Sequence, residues 1–361
     1  MKVALFHTTL PEPTRKVGGV EAVVHRLGNA LVQTGEHDVT VFSLTPRPAD
    51  ALYEHVHLFP RLSWLATHSL LRWFVLPLLL NLLRFRGYDV LHLHGDDWFF
   101  VRRTVPTIRT MHGSALHEAN TATSLKRRWA QRLLYPLEHL SVRLATAAAA
   151  IGPETAQLYR IPAIINNGVD LSLFSPGPKT AAPSILFVGT WAGRKRGAFL
   201  YDRFVNEVLP VVPDATLHLV TDTVSEAGAA HPQVVHHRRP SDTALAALYR
   251  QSWVFAYPST YEGFGLPYIE SMASGTPVLC SPNDGADYVL DGGRYGRVVE
   301  DDDFGPALVD LLRDEAARRT YEAGGLDRAH QFGWPVVADA HGALYRDTTG
   351  APSLPPHPVS S

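Results

Sequence analysis

Two carboxylates stand eight residues apart in the stretch Pro258-Ser-Thr-Tyr-Glu-Gly-Phe-Gly-Leu-Pro-Tyr-Ile-Glu270: Glu262 in a glycine-containing loop, Glu270 in the first turns of a helix that Pro267 opens and Gly275 stops. Backbone N–H groups at such a helix start converge on one point and favour an anion there. Two acids beside an anion site suit a sugar and its phosphate together, one acid facing reacting groups and the other accepting hydrogen bonds from hydroxyls. A second cluster, Arg194, Lys195 and Arg196, follows an apolar run and a glycine turn. Three adjacent cations there can stabilise a leaving diphosphate, and a solvated basic turn is the plain alternative. His112, in Thr110-Met-His-Gly-Ser114, falls at the carboxyl end of a predicted parallel strand, where ligands gather, although a lone histidine is often structural. His92 and His94 alternate on another strand before Asp96 and Asp97, which invites a metal reading.

The Glu262 to Glu270 stretch resembles the retaining glycosyltransferases of glycosyltransferase family 4, whose signature is Ser-x-x-Glu-Gly-Phe-Gly followed by a second Glu and then Ala. The resemblance implies the GT-B fold, two Rossmann-like doubly wound α/β domains facing across a cleft. It further implies that Glu270 holds the donor ribose, that Glu262 faces the transferred sugar, and that Gly263, Phe264, Gly265 and Leu266 lie against sugar and phosphate. Leu186 to Gly197 is similar to the segment that clamps the donor diphosphate, which puts Arg194 and Lys195 in catalytic roles and Arg196 in donor binding; Thr190 and Arg196 depart from the usual pattern. Gly18-Gly19 looks like the family's glycine loop at the donor phosphate, and His112 corresponds to a family histidine that contacts the transferred sugar. No metal or other cofactor is expected, because the basic cluster replaces the cation. Val234 to Asp242 resembles the segment against which the nucleotide base packs, and Phe332 to Pro335 the start of a C-terminal helix.

The rhythm of the chain is consistent with that architecture. Short apolar runs (Val3 to Phe6, Val39 to Leu44, Val90 to Leu93, Thr107 to Met111, Ala145 to Ile151) alternate with helical patterns such as Val20, Val23, Val24, Leu27 and Leu31, the mark of a parallel sheet. A Pro/Gly/Asn-rich connection, Asn166 to Pro178, precedes a second series of strands with helices over Ala198 to Leu209, Asp242 to Gln251, Pro267 to Ala273 and Phe304 to Ala323. We therefore expect an N-terminal domain over 1–165, a donor domain over 171–334, a helix over 335–347 packing back on the first, and a disordered Pro/Ser-rich tail over 348–361.

The chain has 361 residues, 45% apolar and 19% charged, with 33 Lys plus Arg against 35 Asp plus Glu. Two domains fit that length, and the near-neutral charge argues against a nucleic-acid partner. One cysteine, Cys280, permits no intrachain disulfide or Cys-based zinc site, which fits a reducing compartment and a cytoplasmic location. Leu62 to Leu83 is interrupted by His68, Arg72 and Pro77, so it reads as a buried helix hairpin rather than a membrane span. Lys126 to Arg143 reads as an amphipathic helix with a basic face, either solvated or, with the first segment, touching an anionic lipid surface at the inner face of the membrane. The acidic run Glu300 to Asp303 reads as a solvated loop. The expected function is metal-independent retaining transfer of a hexose from a nucleoside diphosphate sugar to an acceptor hydroxyl on a glycan, lipid or small molecule. Alternatives are a GT-B sugar-nucleotide epimerase and a non-catalytic nucleotide-sugar-binding protein.

Overall fold

The computed structural model describes residues 1–12, 19–121, 124–221 and 231–351, so Gly18 and the last ten residues lie outside the described residues. The chain forms two compact units, residues 1–168 together with the segment from Trp334 onward, and residues 169–333.

In the first unit β1 (Lys2–Phe6), α1 (Gly19–Gln33), β2 (Asp38–Ser43), β3 (Glu54–His57), α2 (Ser69–Leu79), β4 (Val90–Leu93), β5 (Thr107–Met111), α3 (Ala115–Thr121), α4 (Leu125–Leu144), β6 (Ala147–Ala150), α5 (Pro153–Tyr159) and β7 (Ala163–Ile164) follow one another. The strands build a parallel sheet in the order β3-β2-β1-β4-β5-β6-β7. Strand β4 is buried at every residue and β1 at all but Lys2, as expected where helices cover both faces of a parallel sheet. The sheet order reverses between β1 and β4, and that switch point opens a crevice at the strands' carboxyl ends.

The second unit holds β8 (Ser184–Val188), α6 (Gly197–Arg203), β9 (Thr216–Val220), β10 (Val234–His237), α7 (Asp242–Gln251), β11 (Val254–Tyr257), α8 (Leu266–Ala273), β12 (Val278–Cys280), α9 (Asp284–Val289), β13 (Arg297–Val298), α10 (Phe304–Arg313) and α11 (Glu315–His330). Its parallel sheet runs β10-β9-β8-β11-β12-β13, with the switch point between β8 and β11. The last helix, α12 (Trp334–Thr349), belongs to the first unit, where the Tyr345 hydroxyl meets His92 Nδ1 at 2.8 Å and Arg346 pairs with Glu36 at 3.2 Å.

Several local expectations change. The predicted helix over Phe304 to Ala323 is two helices, because Asp314 leaves the helical region and its carboxylate accepts from the Ala317 N–H as an N-cap. The helix expected over Ala198 to Leu209 is α6 followed by a π turn at Phe204–Val208. Ser241 caps α7 immediately before Asp242, its side chain accepting from the Ala244 N–H. Helix α12 extends two residues into the segment read as tail.

Leu62 to Leu83 forms a 3-10 helix (Pro60–Thr67), α2 and a short 3-10 turn; Leu65, Leu76 and Leu80 are buried, whereas Trp64, Leu71, Leu78 and Leu82 are exposed. The buried hairpin is thus corrected to a half-buried one: these pieces pack a single apolar side onto the sheet. Among the described residues no helix is long and apolar enough to cross a membrane.

Candidate active site

In the second unit the loop after β8 and the loop after β11 lie side by side, since their strands are neighbours, and each delivers residues to the switch point. After β8, Gly193 takes a left-handed φ of 77° and leads a 3-10 turn, Gly193–Lys195. The Thr260 N–H donates to the Arg194 carbonyl at 2.9 Å, which clips this turn to the β11 loop.

Lys195 and Glu262 meet there. The Lys195 ammonium donates to Glu262 Oε1 and to the Tyr257 hydroxyl and stands 4.7 Å from the centre of the Tyr257 ring. Ser259 Oγ donates to Glu262 Oε1 at 2.6 Å, and Arg194 lies 3.6 Å from Oε2 while donating to the Tyr261 carbonyl at 2.6 Å. Glu262 is 5% exposed. Burial lowers the Lys195 ammonium, and the Glu262 charge opposes that shift; burial and the same carboxylate push the Tyr257 phenol well above its usual range.

The loop is shaped by close approach. Gly265 has φ 95° and caps α8, and the Tyr268 N–H is spent on the Gly265 carbonyl at 2.9 Å. With Pro267 lacking an N–H altogether, the amides left for a ligand belong to the loop around Gly263 to Leu266 rather than to the whole helix turn. A Cβ on Gly285 would come within 2.7 Å of the Glu262 carbonyl oxygen and 2.8 Å of that of Phe264, so only glycine lets α9 support the loop from below. Asn283 joins them, its amide donating to the Ser259 carbonyl and to the Tyr268 hydroxyl, both at 3.0 Å. Glu270 is half-buried on α8 beside Tyr249, whose phenol is raised by burial first and by this carboxylate second.

Arg194, Lys195 and Glu262 thus come together with the loop from Gly263 to Leu266 continuing directly from Glu262, Glu270 lies farther along α8 beside Tyr249, and Arg196 is not part of the cluster. Its left-handed backbone, φ 61°, turns the guanidinium onto Asp301, with both nitrogens on the carboxylate at 2.8 and 2.5 Å, and stacks it 4.0 Å from the centre of Phe199. Arg196 is thus engaged by Asp301 and not gathered with Lys195 on Glu262, and the pair corrects the reading of Glu300 to Asp303 as a merely solvated loop. Tyr257 and Ser259 were not singled out from sequence; the strand-end position of one and the Ser-x-x-Glu spacing of the other are their only signals.

The first unit carries Gly19, the exposed first residue of α1, and His112, directly after β5. His112 lines a cavity of about 310 Å3 with His7, Arg72, His94, Asp96 and Glu138 among its walls. Burial holds the His112 imidazole well below its usual range, so it is neutral. His92 Nδ1 is taken by the Tyr345 hydroxyl and Nε2 by Thr110 Oγ1 at 2.7 Å, while His94 Nδ1 is taken by His112 Nε2 at 2.9 Å, and among the described residues no group of three or more His, Cys, Asp or Glu side chains is gathered to hold a metal ion. Asp96 instead pairs with Arg72 at 3.2 Å and accepts from the Thr8 hydroxyl at 2.5 Å.

Residues 17–173 match Glycosyltransferase Family 4, and residues 182–314 match Glycosyl transferases group 1. The chain belongs to glycosyltransferase family 4. Among its relatives, the phosphatidyl-myo-inositol mannosyltransferase of Mycobacterium leprae is 26% identical over 273 residues, 70% of this chain and 71% of that protein. The D-inositol 3-phosphate glycosyltransferase of Kribbella flavida is 29% identical over 305 residues, 73% and 72% of the two chains. The sucrose-phosphate synthase structure from Thermosynechococcus elongatus shares the fold with a TM-score of 0.75 at 23% identity, over 97% of this chain and all of that one. This family 4 member is a hexosyltransferase drawing on a nucleotide-sugar donor, and the epimerase and non-catalytic readings drop out.

Proposed function

We propose that this glycosyltransferase moves a hexose, with retention and without a metal ion, from a nucleoside diphosphate sugar to a hydroxyl of a glycan, lipid-linked or small-molecule acceptor. The observation that carries the reading is the convergence of Arg194 and Lys195 on Glu262 under the glycine loop of α8. As the bond from sugar to phosphate breaks, positive character grows on the sugar and negative charge on the diphosphate. Arg194, Lys195 and the loop amides meet the second charge, and Glu262 orients the sugar hydroxyls and faces the first. In this reading the leaving phosphate takes the acceptor proton, Glu270 holds the ribose, and His112 and Gly19 keep the sugar and phosphate contacts that the family resemblance gives them. The two inositol-named relatives favour an acceptor hydroxyl on a polyol. A thermal-shift screen with UDP, GDP, ADP and dTDP, each with and without EDTA, tests this reading. One diphosphate raising Tm with EDTA present supports it, because a ligand of the native state stabilises by mass action; a shift abolished by EDTA removes the metal-free reading.

Peripheral membrane contact is part of the proposal, and α4 supports it. Leu125, Trp129 and Leu133 are 69%, 68% and 55% exposed, so the helix shows apolar side chains to solvent next to Lys126, Arg127 and Arg132, the last 5.7 Å from the centre of Trp129. Apolar side chains rimmed by cations suit an anionic lipid surface. The protein is expected to sediment with anionic vesicles and not with neutral ones. Trp129→Ala and Arg132→Ala together should reduce the bound fraction severalfold, since each cation near such a surface contributes about 1 kcal/mol. Equal non-binding to both vesicle types removes the membrane contact.

A further inference from the structure

Residues i and i+2 of a strand share a face, which stacks His92 and His94 at the end of β4 with ring centroids 4.0 Å apart. From there a line of neutral imidazoles runs to His112. His94 Nδ1 meets His112 Nε2 at 2.9 Å, the two rings lying 30° from parallel. On the other side His92 is held by the Tyr345 hydroxyl of α12 and by Thr110, and His341 of α12 lies 5.1 Å from its ring centre.

A neutral imidazole has one N–H and one lone pair, so partners decide which nitrogen carries the proton. The Asn167 side chain hydrogen-bonds the His112 ring and opposes the lowering by burial, and we assign the tautomer with the Asn167 carbonyl accepting the ring N–H. Nε2 is left as the lone-pair nitrogen, and His94 Nδ1–H is its donor. The remaining nitrogen of His94, Nε2, is then buried with no hydrogen-bond partner. Leaving a buried polar atom unmatched is destabilising, and an apolar ring at position 94 would avoid that cost.

We infer that His94 is a positioning residue for the transfer reaction: it fixes the tautomer and ring plane of His112, and through His92 and Tyr345 it ties that setting to the docking of α12 on the first unit. The inference rests on the reading of His112 as a contact to the transferred sugar. It explains why a buried position keeps a histidine with one unmatched nitrogen.

The test uses His94→Phe, which keeps a flat ring and loses the donor, and His94→Asn, whose amide nitrogen falls about where Nδ1 was. His94→Phe is expected to lower kcat by about 10- to 100-fold, the usual effect of losing a partner that orients a site residue, with the Kd for the nucleoside diphosphate unchanged and no fall in Tm. 15N NMR of His112 should then show Nε2 losing its single lone-pair state, and His94→Asn should restore both that signature and most of kcat. Wild-type turnover in His94→Phe, an unchanged His112 tautomer, or losses in both variants that track Tm would overturn the inference. His112→Ala separates the two levels: full turnover there removes the role of His112 itself, whereas lost turnover there with an active His94→Phe removes only the role of His94.

Discussion

Glu262→Gln is expected to reduce kcat by about 10²–10³-fold, the range for removing one electrostatic contact to a charge-developing centre, while the nucleoside diphosphate binds as well as before or better. The isostere keeps the shape of a side chain that is 5% exposed and retains an acceptor for Ser259. What disappears is the negative charge between Lys195 and Arg194. In the ligand-free protein that charge competes with a diphosphate for both cations, so its removal frees them for binding. For turnover the sign reverses, because in the proposed reaction the developing sugar cation loses the carboxylate that faces it. A second consequence follows from the ammonium. Burial lowers Lys195 and the Glu262 charge holds it up, so in Glu262→Gln the lysine loses its proton at lower pH than in the wild type. The turnover deficit should therefore widen as pH rises. Initial rates across pH together with calorimetric titration of the diphosphate check both statements, and a loss smaller than about tenfold would place the reacting sugar away from Glu262.

Asp97→Ala carries the largest expected effect on stability. Asp97 is fully buried after β4, accepts from Ser141 Oγ on α4 at 2.8 Å, and pairs with Arg109 Nε and the Arg103 guanidinium, each at 3.2 Å. Arg109 is 4% exposed on the central strand β5 and also donates to the Thr110 carbonyl at 2.6 Å. Removing the shared carboxylate leaves buried positive charge without compensation, and breaking such a pair costs about 3–5 kcal/mol. That is a large part of the roughly 5–15 kcal/mol that holds a domain folded. Urea denaturation followed by circular dichroism should show the first unfolding transition at much lower denaturant than in the wild type. Arg319→Ala is the control: its pair with Glu315 is exposed on α11, and such pairs contribute about 1 kcal/mol or less. Equal, small effects from both substitutions would show that water reaches Asp97.

The parallel α/β class was legible because strands buried on both faces must be largely apolar, and Val90 to Leu93, apolar but for His92, or Ile185 to Val188 can satisfy that requirement in few other ways. Short strands escaped for the opposite reason. Glu54–His57 lies at a sheet edge with half its residues exposed, and Arg297–Val298 is two residues long, so neither carries an apolar signal. For α4 the spacing leaves a solvated helix and a lipid-touching one both open; periodicity marks a shared face, and only packing decides whether that face is covered.

The sequence by itself put forward the candidate site as two short stretches, Arg194-Lys195 after one apolar run and Glu262 with its glycines after another, because residue types and spacing within each stretch are local. The tertiary structure alone decided how those charges are shared. Arg196, next to Lys195, is turned away onto Asp301, 105 residues on, by one left-handed backbone angle. Tyr257 is recruited to Lys195 because β8 and β11 are neighbours in the sheet. His94 reaches His112 because β4 pairs with β5, and Tyr345 reaches His92 across 253 residues because α12 packs on the first unit. Hydrogen bonds and ion pairs act over about 3 Å, a distance that residue types and spacing cannot report until the sheet has set which strands lie side by side.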